Sequence, residues 1–449
     1  MLLNGQWIDS TLTHFLEGAK ENQSEVTRAD CIQSAYSRAM LPATVLHWNY
    51  RGFTEFPLYR LEGEESDVTD IYLKENLISR IPSDIGKLVH LESLYLSGND
   101  ITQLPREISK LQCLKCLDLS GNRLRCIPDE IGEVKSLKFL ILDENELTEI
   151  PLRIAELRFL RYLSVCDNRL EWLPQRPVYN YHHCEFRFWR NTSLRTIPYS
   201  LWYHMLRDQQ TRSLNIGCLI IPKHQQTLKG NRCRLKFTQN SRVWDIDLDY
   251  PPYRHVQEYY ACSPPSLYEF TKRKIYQIIS DTAKKLSTNG NNTNIYLYSY
   301  NSFSDLENRN DGLESYFENM NMNTGDVNGN SLTTSKNFEI NKKNVKKYFY
   351  VPADIVKEYF DFLPCFIKQD LYNGPMSKCE NTHCKKPVFD YVIYEYCLGT
   401  ITLIDKTEQV ILSAVFCSKS CSDIWKRGKN VLSWKLLKDH RGDSSDTTI

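Results

Sequence analysis

The chain has 449 residues, of which 41% are hydrophobic and 25% are charged, a composition ordinary for globular proteins and a length that fits roughly two to four domains. Lys and Arg total 56 and Asp and Glu total 55, and the net charge of +1 argues against nucleic acid or an anionic membrane as a partner held by overall charge. The apolar runs are shorter than the roughly 20 residues of a membrane helix, so we expect no membrane partner.

The first element in chain order is the N-terminal segment, residues 1–44, which we expect to be helical. It lacks the basic start and the continuous apolar core of a signal peptide. The chain contains 15 Cys residues, and without a secretory signal these are expected as thiols or metal ligands in a reducing compartment. We therefore expect a protein of the cytoplasm or the nucleus.

Residues 45–212 repeat with a period of 23 residues. In each period, Leu residues at alternating positions predict a short strand with one buried face, and a Pro begins a short helical return. An Asn follows each strand, where its side-chain amide can bond the backbone of the turn. One such unit cannot bury its apolar side alone, so we predict a solenoid of stacked units. The recurring residues are Asn76, Asn99, Asn122, Asn145, Asn168 and Asn191.

The segment 91–111, LESLYLSGNDITQLPREISKL, resembles the leucine-rich repeat of the short intracellular type, with an Ile-Pro step after the Asn in several copies. This resemblance implies an α/β horseshoe whose strands expose outward side chains on the concave face. Aromatic anchors with a polar rim are typical of protein interfaces, so we expect a protein to bind there. The alternative is that Tyr and Ile are simply common on strands. The expected contact residues are Tyr72, Tyr95, Asp118, Phe139, Ile141, Tyr162, Arg187 and Trp189.

Two amphipathic helices are predicted after a linker or solenoid cap at residues 213–262. The first occupies residues 263–286, where an apolar stripe recurs at helical spacing and Lys272, Arg273 and Lys274 lie mostly off it. Residues 287–347 are rich in Asn and poor in aliphatic residues, which predicts a disordered insertion. The second helix occupies residues 348–364. The two stripes comprise Leu267, Phe270, Thr271 and Ile275 in the first helix, and Pro352, Ile355 and Tyr359 in the second.

This pair of helices resembles a SOCS box, the adaptor module of cullin-type ubiquitin ligases. Ser266-Leu267, Thr271 and Ile275 match its first helix, with Thr271 where Cys is usual, and Val351-Pro352 matches the start of its second. The resemblance implies elongin B–elongin C and a cullin as partners, with Leu267 filling a pocket and a small side chain at Thr271. The seven stripe residues are then the adaptor-binding residues. The alternative is that both stripes pack on the end of the solenoid.

A small β module with two close Cys pairs is predicted at residues 376–428, before a tail at residues 429–449. The pairs are Cys379 with Cys384 and Cys417 with Cys421, and the residues between them alternate like a hairpin. Four thiolates satisfy tetrahedral Zn²⁺ and leave no position for a substrate water, so we predict a structural zinc site of the treble-clef or ribbon kind. His383 and Cys397 are second-choice ligands.

The whole arrangement resembles the leucine-rich repeat-containing protein 58 family over roughly residues 45–200 and 262–430. The predicted fold class is thus an α/β leucine-rich repeat solenoid, followed by a helical adaptor region and a zinc-stapled β module. Because the chain has no phosphate loop and no hydrolase or metalloprotease motif, we predict no enzyme; Cys166 near His182-His183 is at most a bystander. The predicted function is a substrate receptor for an elongin–cullin ligase. The alternative is an intracellular signalling scaffold of the small-GTPase or phosphatase-pathway type.

Overall fold

A computed structural model describes 44–61, 67–175, 184–207, 210–211, 232–239, 242–249, 256–257, 265–288, 351–360, 362–403 and 407–437. Side chains are described for most of these residues; in the short strands between 210 and 257 and at the ends of two elements the description covers the backbone. The expected N-terminal helix lies outside the described residues except for residue 44. The Asn-rich insertion lies outside them except for residues 287 and 288. None of the described helices is both long enough and apolar enough to cross a membrane.

The first sheet is the solenoid predicted from the repeat. Seven parallel strands are hydrogen-bonded in chain order, from β1 to β7. A 3₁₀ return follows each of the middle strands and begins directly after a Pro, as at Arg106–Lys110 after Pro105. The strands are β1 Thr44–His47, β2 Val68–Tyr72, β3 Ser93–Tyr95, β4 Cys116–Asp118, β5 Phe139–Ile141, β6 Tyr162–Ser164 and β7 Glu185–Arg187. The returns are Leu58–Leu61, Ser83–Lys87, Arg106–Lys110, Asp129–Glu133 and Leu152–Glu156.

The core of the solenoid follows from the spacing within one repeat. Leu94 and Leu96 point inward from the strand, and Ile101, Ile108 and Leu111 close the unit from the other side; all five are fully buried. Each repeat therefore presents a complete apolar layer to the next, and burial of these layers is the main stabilising contribution. The layers form one continuous cluster of buried residues that begins at Phe56 and runs through all the repeats.

The recurring Asn residues form a hydrogen-bonded ladder along the solenoid. The amide nitrogen of Asn122 donates to Leu119 O at 3.0 Å within its own repeat and to Leu96 O at 2.9 Å in the preceding one. Its Oδ1 atom accepts from Ile101 N at 3.0 Å. The side chain thus satisfies buried backbone groups of two adjacent repeats, which explains why an amide recurs at a position that is nearly inaccessible to water.

A second sheet closes the C-terminal end of the solenoid. It combines β8 at the end of the repeats with a long hairpin, β15–β16, and with strands from the predicted linker and tail, in the order β11-β10-β17-β15-β16-β8. Gln175 in the last repeats donates to Ser413 Oγ at 2.6 Å, which ties the hairpin to the solenoid. Outside this order, β9 and β12 each pair with β15 in parallel. The eight strands of this sheet are β8 Ile197–Pro198, β9 Gln210–Thr211, β10 Arg232–Gln239, β11 Arg242–Asp249, β12 Val256–Gln257, β15 Val392–Leu403, β16 Thr407–Phe416 and β17 Val431–Leu437.

A short helical segment, Tyr199–Leu201 continued by Trp202–Leu206, follows β8, and four further helices complete the described structure. Helix α1 spans Leu267–Thr288, α2 spans Pro352–Tyr359, α3 spans Cys365–Asn373 and α4 spans Lys419–Lys426. Helices α1, α2 and α3 share a small apolar core of their own. Helix α3 was not predicted from the sequence. The core residues are Ile279, Ala283, Ile355, Val356, Phe360, Leu371 and Phe389.

The helical unit packs against the helical returns of the solenoid through charged and aromatic groups. Arg153 is almost fully buried, and its guanidinium carbon lies 3.7 Å from the centre of the Tyr372 ring on α3. Tyr372 also donates a hydrogen bond to Glu133. Lys135 Nζ lies 3.5 Å from Asp354 Oδ1 on α2. The helical unit is therefore docked on the solenoid in a defined position.

Candidate functional site

Two short structural pieces bring the four predicted thiols together. Cys379 and Cys384 lie in the turn between β13, Ser377–Lys378, and β14, Pro387–Val388, where Cys379 N donates to Lys386 O at 2.9 Å. Cys417 directly follows β16. Cys421 lies in the first turn of α4, where its N–H donates to the N-cap hydroxyl of Ser418 at 3.3 Å. Of the two predicted types, this strand-to-helix junction favours the treble clef.

The sulfur positions match the geometry that a tetrahedral metal requires. All four Sγ atoms lie within 4.8 Å of one another. Cys417 Sγ lies 3.5 Å from Cys384 Sγ and 3.7 Å from Cys421 Sγ. Zinc–sulfur bonds of about 2.3 Å in a tetrahedron place the sulfurs about 3.8 Å apart. The four thiols therefore fit one zinc-sized ion, which they would hold with a closed ligand shell.

Hydrogen bonds among the four thiols couple their protonation. Hydrogen bonding from Cys379 lowers the pKa of Cys417 to about 5, whereas the same hydrogen bond, together with burial, raises the pKa of Cys379. One thiolate is therefore favourable, and further deprotonation requires a cation to balance the added charge. Among the described residues the cluster contains these four Cys; His383 is exposed and Cys397 is buried on β15.

The second candidate site is the outward face of α1. Leu267 is 83% exposed and Phe270 is 51% exposed, and Thr271 beside them is exposed too. Thr271 Oγ1 donates back to Leu267 O at 2.8 Å, so its polar atom is satisfied within the helix. Ile275 is half-buried at the edge of this face. Large exposed apolar side chains grouped on one helix are typical of a docking surface.

The second predicted stripe mainly holds the helical unit together. Ile355 is fully buried against α1 in the shared core, and Pro352 and Tyr359 are half-buried. Val351 N donates to the Asp354 carboxylate at 3.0 Å, which caps the start of α2. Two further aromatic side chains, Phe362 and Phe366, are 78% and 63% exposed after α2 and in α3. The sequence reasoning missed both, although their large apolar side chains beside Leu363-Pro364 were visible.

Lys272 and Arg273 lie off the stripe formed by Leu267, Phe270 and Thr271, as predicted, but the structure buries both of them. Lys272 is 0% exposed and pairs with Asp370 on α3 at 2.9 Å and with Asp390. Arg273 pairs with Glu269 at 2.7 Å. The sequence did not indicate this burial, because a helical pattern cannot reveal a buried charge whose partners come from distant elements.

The third candidate site is the concave strand face. Strand pairing aligns one row through Tyr72, Tyr95, Asp118 and Ile141, and the neighbouring row through Phe139 and Tyr162. The rings of Tyr72 and Tyr95 are stacked at 4.6 Å. Lys74 Nζ lies 5.0 Å from the centre of the Tyr95 ring and 3.5 Å from Asp118 Oδ2.

Exposure varies along this face. Tyr95 and Asp118 are each only 1% exposed, and Ile141 is buried as well. Half-buried side chains remain at both ends and in the middle of this face. Near the last repeat, the Arg187 guanidinium lies 5.2 Å from the centre of the Tyr162 ring. The half-buried residues are Tyr72, Phe139, Tyr162, Arg187 and Trp189.

Cys166, the thiol near the concave face, has a raised pKa and not the lowered pKa of a nucleophilic thiol. Burial raises its pKa to about 11, and the nearby Asp143 carboxylate acts in the same direction. Nucleophilic thiols have lowered pKa values instead. His182 and His183 lie outside the described residues. This geometry supplies no activated thiol.

The parallel sheet, the Asn ladder and the Pro-initiated returns together define a leucine-rich repeat solenoid. Residues 79–171 match the family model of a leucine-rich repeat region. No curated protein matches the chain.

Solved leucine-rich repeat structures resemble parts of the chain. A leucine-rich repeat protein of Leptospira interrogans is 34% identical over 32% of this chain and 36% of its own, with a TM-score of 0.29. The ectodomain of a receptor kinase from Arabidopsis thaliana is 27% identical over 28% of this chain and 71% of its own, with a TM-score of 0.26. An internalin of Listeria monocytogenes is 23% identical over 23% of this chain and 29% of its own, with a TM-score of 0.22. This chain thus spans about a third of the first of these, and TM-scores of this size carry no functional argument.

Proposed function

We propose that this protein is a substrate receptor, in which the solenoid holds a partner protein and the helical unit recruits elongin B–elongin C and a cullin. The observation that carries the proposal is the outward face of α1. Leu267 and Phe270 project into solvent beside the small side chain of Thr271, whereas the opposite face of the helix is anchored inside the protein. An apolar face held out by a fixed helix is what recognition in a partner's groove requires.

The packing of α2 supports the same proposal. Ile355 and Val356 pack against Ile279 and Ala283 of α1, so the two helices form one unit although a long insertion separates them in sequence. The exposed rings of Phe362 and Phe366 extend the apolar surface beyond α1. Tyr268 on α1 and Phe366 on α3 lie 6.0 Å apart between ring centres, which makes the surface continuous. We infer that elongin contacts the α1 end and that the cullin contacts the α2–α3 end.

The bound protein is proposed to lie on the concave strand face. Leucine-rich repeat solenoids present a curved surface suited to another polypeptide. Here the accessible parts combine aromatic rings with charges of both signs, including Arg187 and its partner Glu185 at 2.7 Å. Aromatic and Arg side chains supply much of the binding energy in protein interfaces. Tyr162, Arg187 and Trp189 are therefore the proposed anchors near the last repeats.

The test is co-elution of the purified full-length protein with elongin B–elongin C at micromolar concentration. The Leu267→Ala variant should lose co-elution because it removes the most exposed anchor of α1. Leu77→Ala is the matched control, since Leu77 is also an exposed Leu, at 57%, but lies on the solenoid. Retained co-elution of Leu267→Ala, or none with the wild type, would refute the ligase role.

The signalling-scaffold alternative needs a point variant, not a truncation. Removing everything after residue 262 would strip β16 from β8 and expose the end of the solenoid core. Under the scaffold role, full-length Leu267→Ala should leave the cellular abundance of the bound protein unchanged. Under the receptor role, the same variant should raise that abundance while binding to the solenoid persists.

A further inference from the structure

The inner face of α1 reaches the backbone of the four-Cys cluster. Arg273 is buried, and its guanidinium donates three hydrogen bonds in different directions. It donates from Nε to Glu269 Oε1 at 2.7 Å, from Nη2 to Tyr391 O at 3.0 Å and from Nη1 to Cys417 O at 3.2 Å. Cys417 is one of the four thiol residues. A single side chain of α1 therefore fixes the carbonyl of a candidate metal ligand.

Glu269 contacts the segment that supplies the other Cys pair, Cys379 and Cys384. Its carboxylate accepts hydrogen bonds from Phe389 N and Asp390 N, both at 3.0 Å. These residues directly follow β14, the strand that closes the turn containing Cys379 and Cys384. Glu269 is only 2% exposed, so the three bonds it accepts replace hydration that it has lost. The Glu269–Arg273 pair thus bridges the segments that supply both Cys pairs.

We propose that Glu269 and Arg273 are positioning residues of the metal centre, and that metal binding is thermodynamically coupled to the docking of α1. Groups that orient the ligands of a metal commonly change its affinity by about 10- to 100-fold when they are removed. A metal bound to Cys417 fixes the backbone that receives Arg273, and Arg273 in turn fixes the backbone that presents Cys417. Coupling between two binding events is reciprocal, so weakening either one weakens the other.

The coupling has a consequence for the outward face of α1, and in this respect it rests on the proposed function. Glu269 and Arg273, on the other side of the same helix, fix the orientation of Leu267 and Phe270 together with Lys272 and the apolar core that α1 shares with α2 and α3. Loss of the metal releases the module that anchors them. The protein would then hold its adaptor-binding face more firmly in the metal-bound state than in the metal-free state, which makes recruitment sensitive to zinc.

The first test measures zinc affinity of the full-length protein by competition with a chromogenic chelator. Arg273→Leu should weaken zinc binding about tenfold or more, because it removes the donor to Cys417 O and leaves Glu269 buried without its partner. Arg273→Lys keeps the charge but lacks the planar fork, and should give a smaller loss. The control is Lys274→Ala, an exposed neighbour on the same helix, which should stay within about twofold of the wild type.

The second test is hydrogen exchange of the wild-type protein with zinc and after chelation. Amides of α1 should lose protection when zinc is removed, while amides of the central repeats keep theirs. Unchanged zinc affinity in both Arg273 variants, or unchanged α1 protection after chelation, would overturn the coupling. Weaker zinc binding in Arg273→Leu, combined with no elongin binding by the wild type, would instead retain the coupling and refute the proposed function.

Discussion

Arg153 provides a direct test of how the helical unit is joined to the solenoid. Its guanidinium is 1% exposed and donates to Glu156 Oε2 at 3.0 Å, with Glu133 Oε1 3.8 Å away. The Tyr372 ring of α3 covers the same guanidinium. Arg153→Met keeps an unbranched apolar side chain of related length but removes the charge, so it isolates the electrostatic part of this contact.

The size of the expected loss of stability follows from the burial of Arg153 and its partner Glu156. Removing one partner of a buried ion pair costs about 3–5 kcal/mol, and a desolvated cation–ring contact contributes about 2 kcal/mol. Lys135 Nζ lies 3.7 Å from Glu156 Oε2 and continues to compensate that carboxylate after the substitution. We therefore expect a loss near the lower limit for the ion pair, about 3 kcal/mol, and with the lost ring contact about 5 kcal/mol in total in the free energy of unfolding.

Urea unfolding followed by circular dichroism measures this loss. Arg158→Met is the matched control, since Arg158 lies in the same repeat and is exposed; it should change the free energy of unfolding by less than about 0.5 kcal/mol. The double variant Arg153→Met with Glu156→Gln should recover part of the loss, because no unpaired carboxylate remains buried. If Arg153→Met and Arg158→Met are equally stable, the joint between solenoid and helices does not depend on this cluster.

Three further predictions concern the repeats and the metal centre. Asn122→Ala should destabilise the protein by about 3 kcal/mol, since Leu96 O, Leu119 O and Ile101 N lose a buried partner; a urea midpoint near that of the wild type would contradict the ladder. Burial raises the pKa of Asp143 above its ordinary 3.8, so its stabilising contribution is present below that pH and is lost as pH rises through the folded pKa. Asp143→Asn should therefore gain stability relative to the wild type as pH rises above 3.8 through the folded pKa, and an unchanged difference across that rise argues against the raised pKa. Metal analysis should find about one zinc per chain, and Cys379→Ser with Cys421→Ser should remove it; equal metal content in both proteins would sink the site.

The solenoid was predictable because each repeat is stabilised by its immediate neighbours. The contacts of Asn122 reach no further than the adjacent repeats, so a 23-residue pattern contains most of the information. The second sheet was not predictable in the same way. Gln175 meets Ser413 across 238 residues of sequence, and β8 pairs with β16 at a similar distance along the chain. No local pattern records which distant strand completes a sheet.

The same difference between local and distant contacts applies to the metal centre. Its ligands were predictable from spacing, because a short turn delivers Cys379 and Cys384, and a strand end with the helix start after it delivers Cys417 and Cys421. Its outer hydrogen bonds were not, because Arg273 and Cys417 are 144 residues apart and nothing in the sequence links them. A buried Arg on a helix looks like a solvated one until the partners of its guanidinium are known.

Although the second half of helix α1 buries Ile279 and Ala283 in the usual way, its first turns are inverted relative to a helix that packs on a protein surface for stability alone. Such a helix buries its apolar stripe and leaves its charges in water. Here Lys272, Arg273 and Glu269 are buried and fully engaged, whereas Leu267 and Phe270 are exposed. Buried charges contribute little net stability compared with apolar residues of similar size, so this arrangement does not maximise stability. It does fix the rotation of the helix about its axis, because each buried charge has partners in defined directions. A fixed rotation with an apolar face outward is the property that a docking helix requires and that a purely structural helix does not.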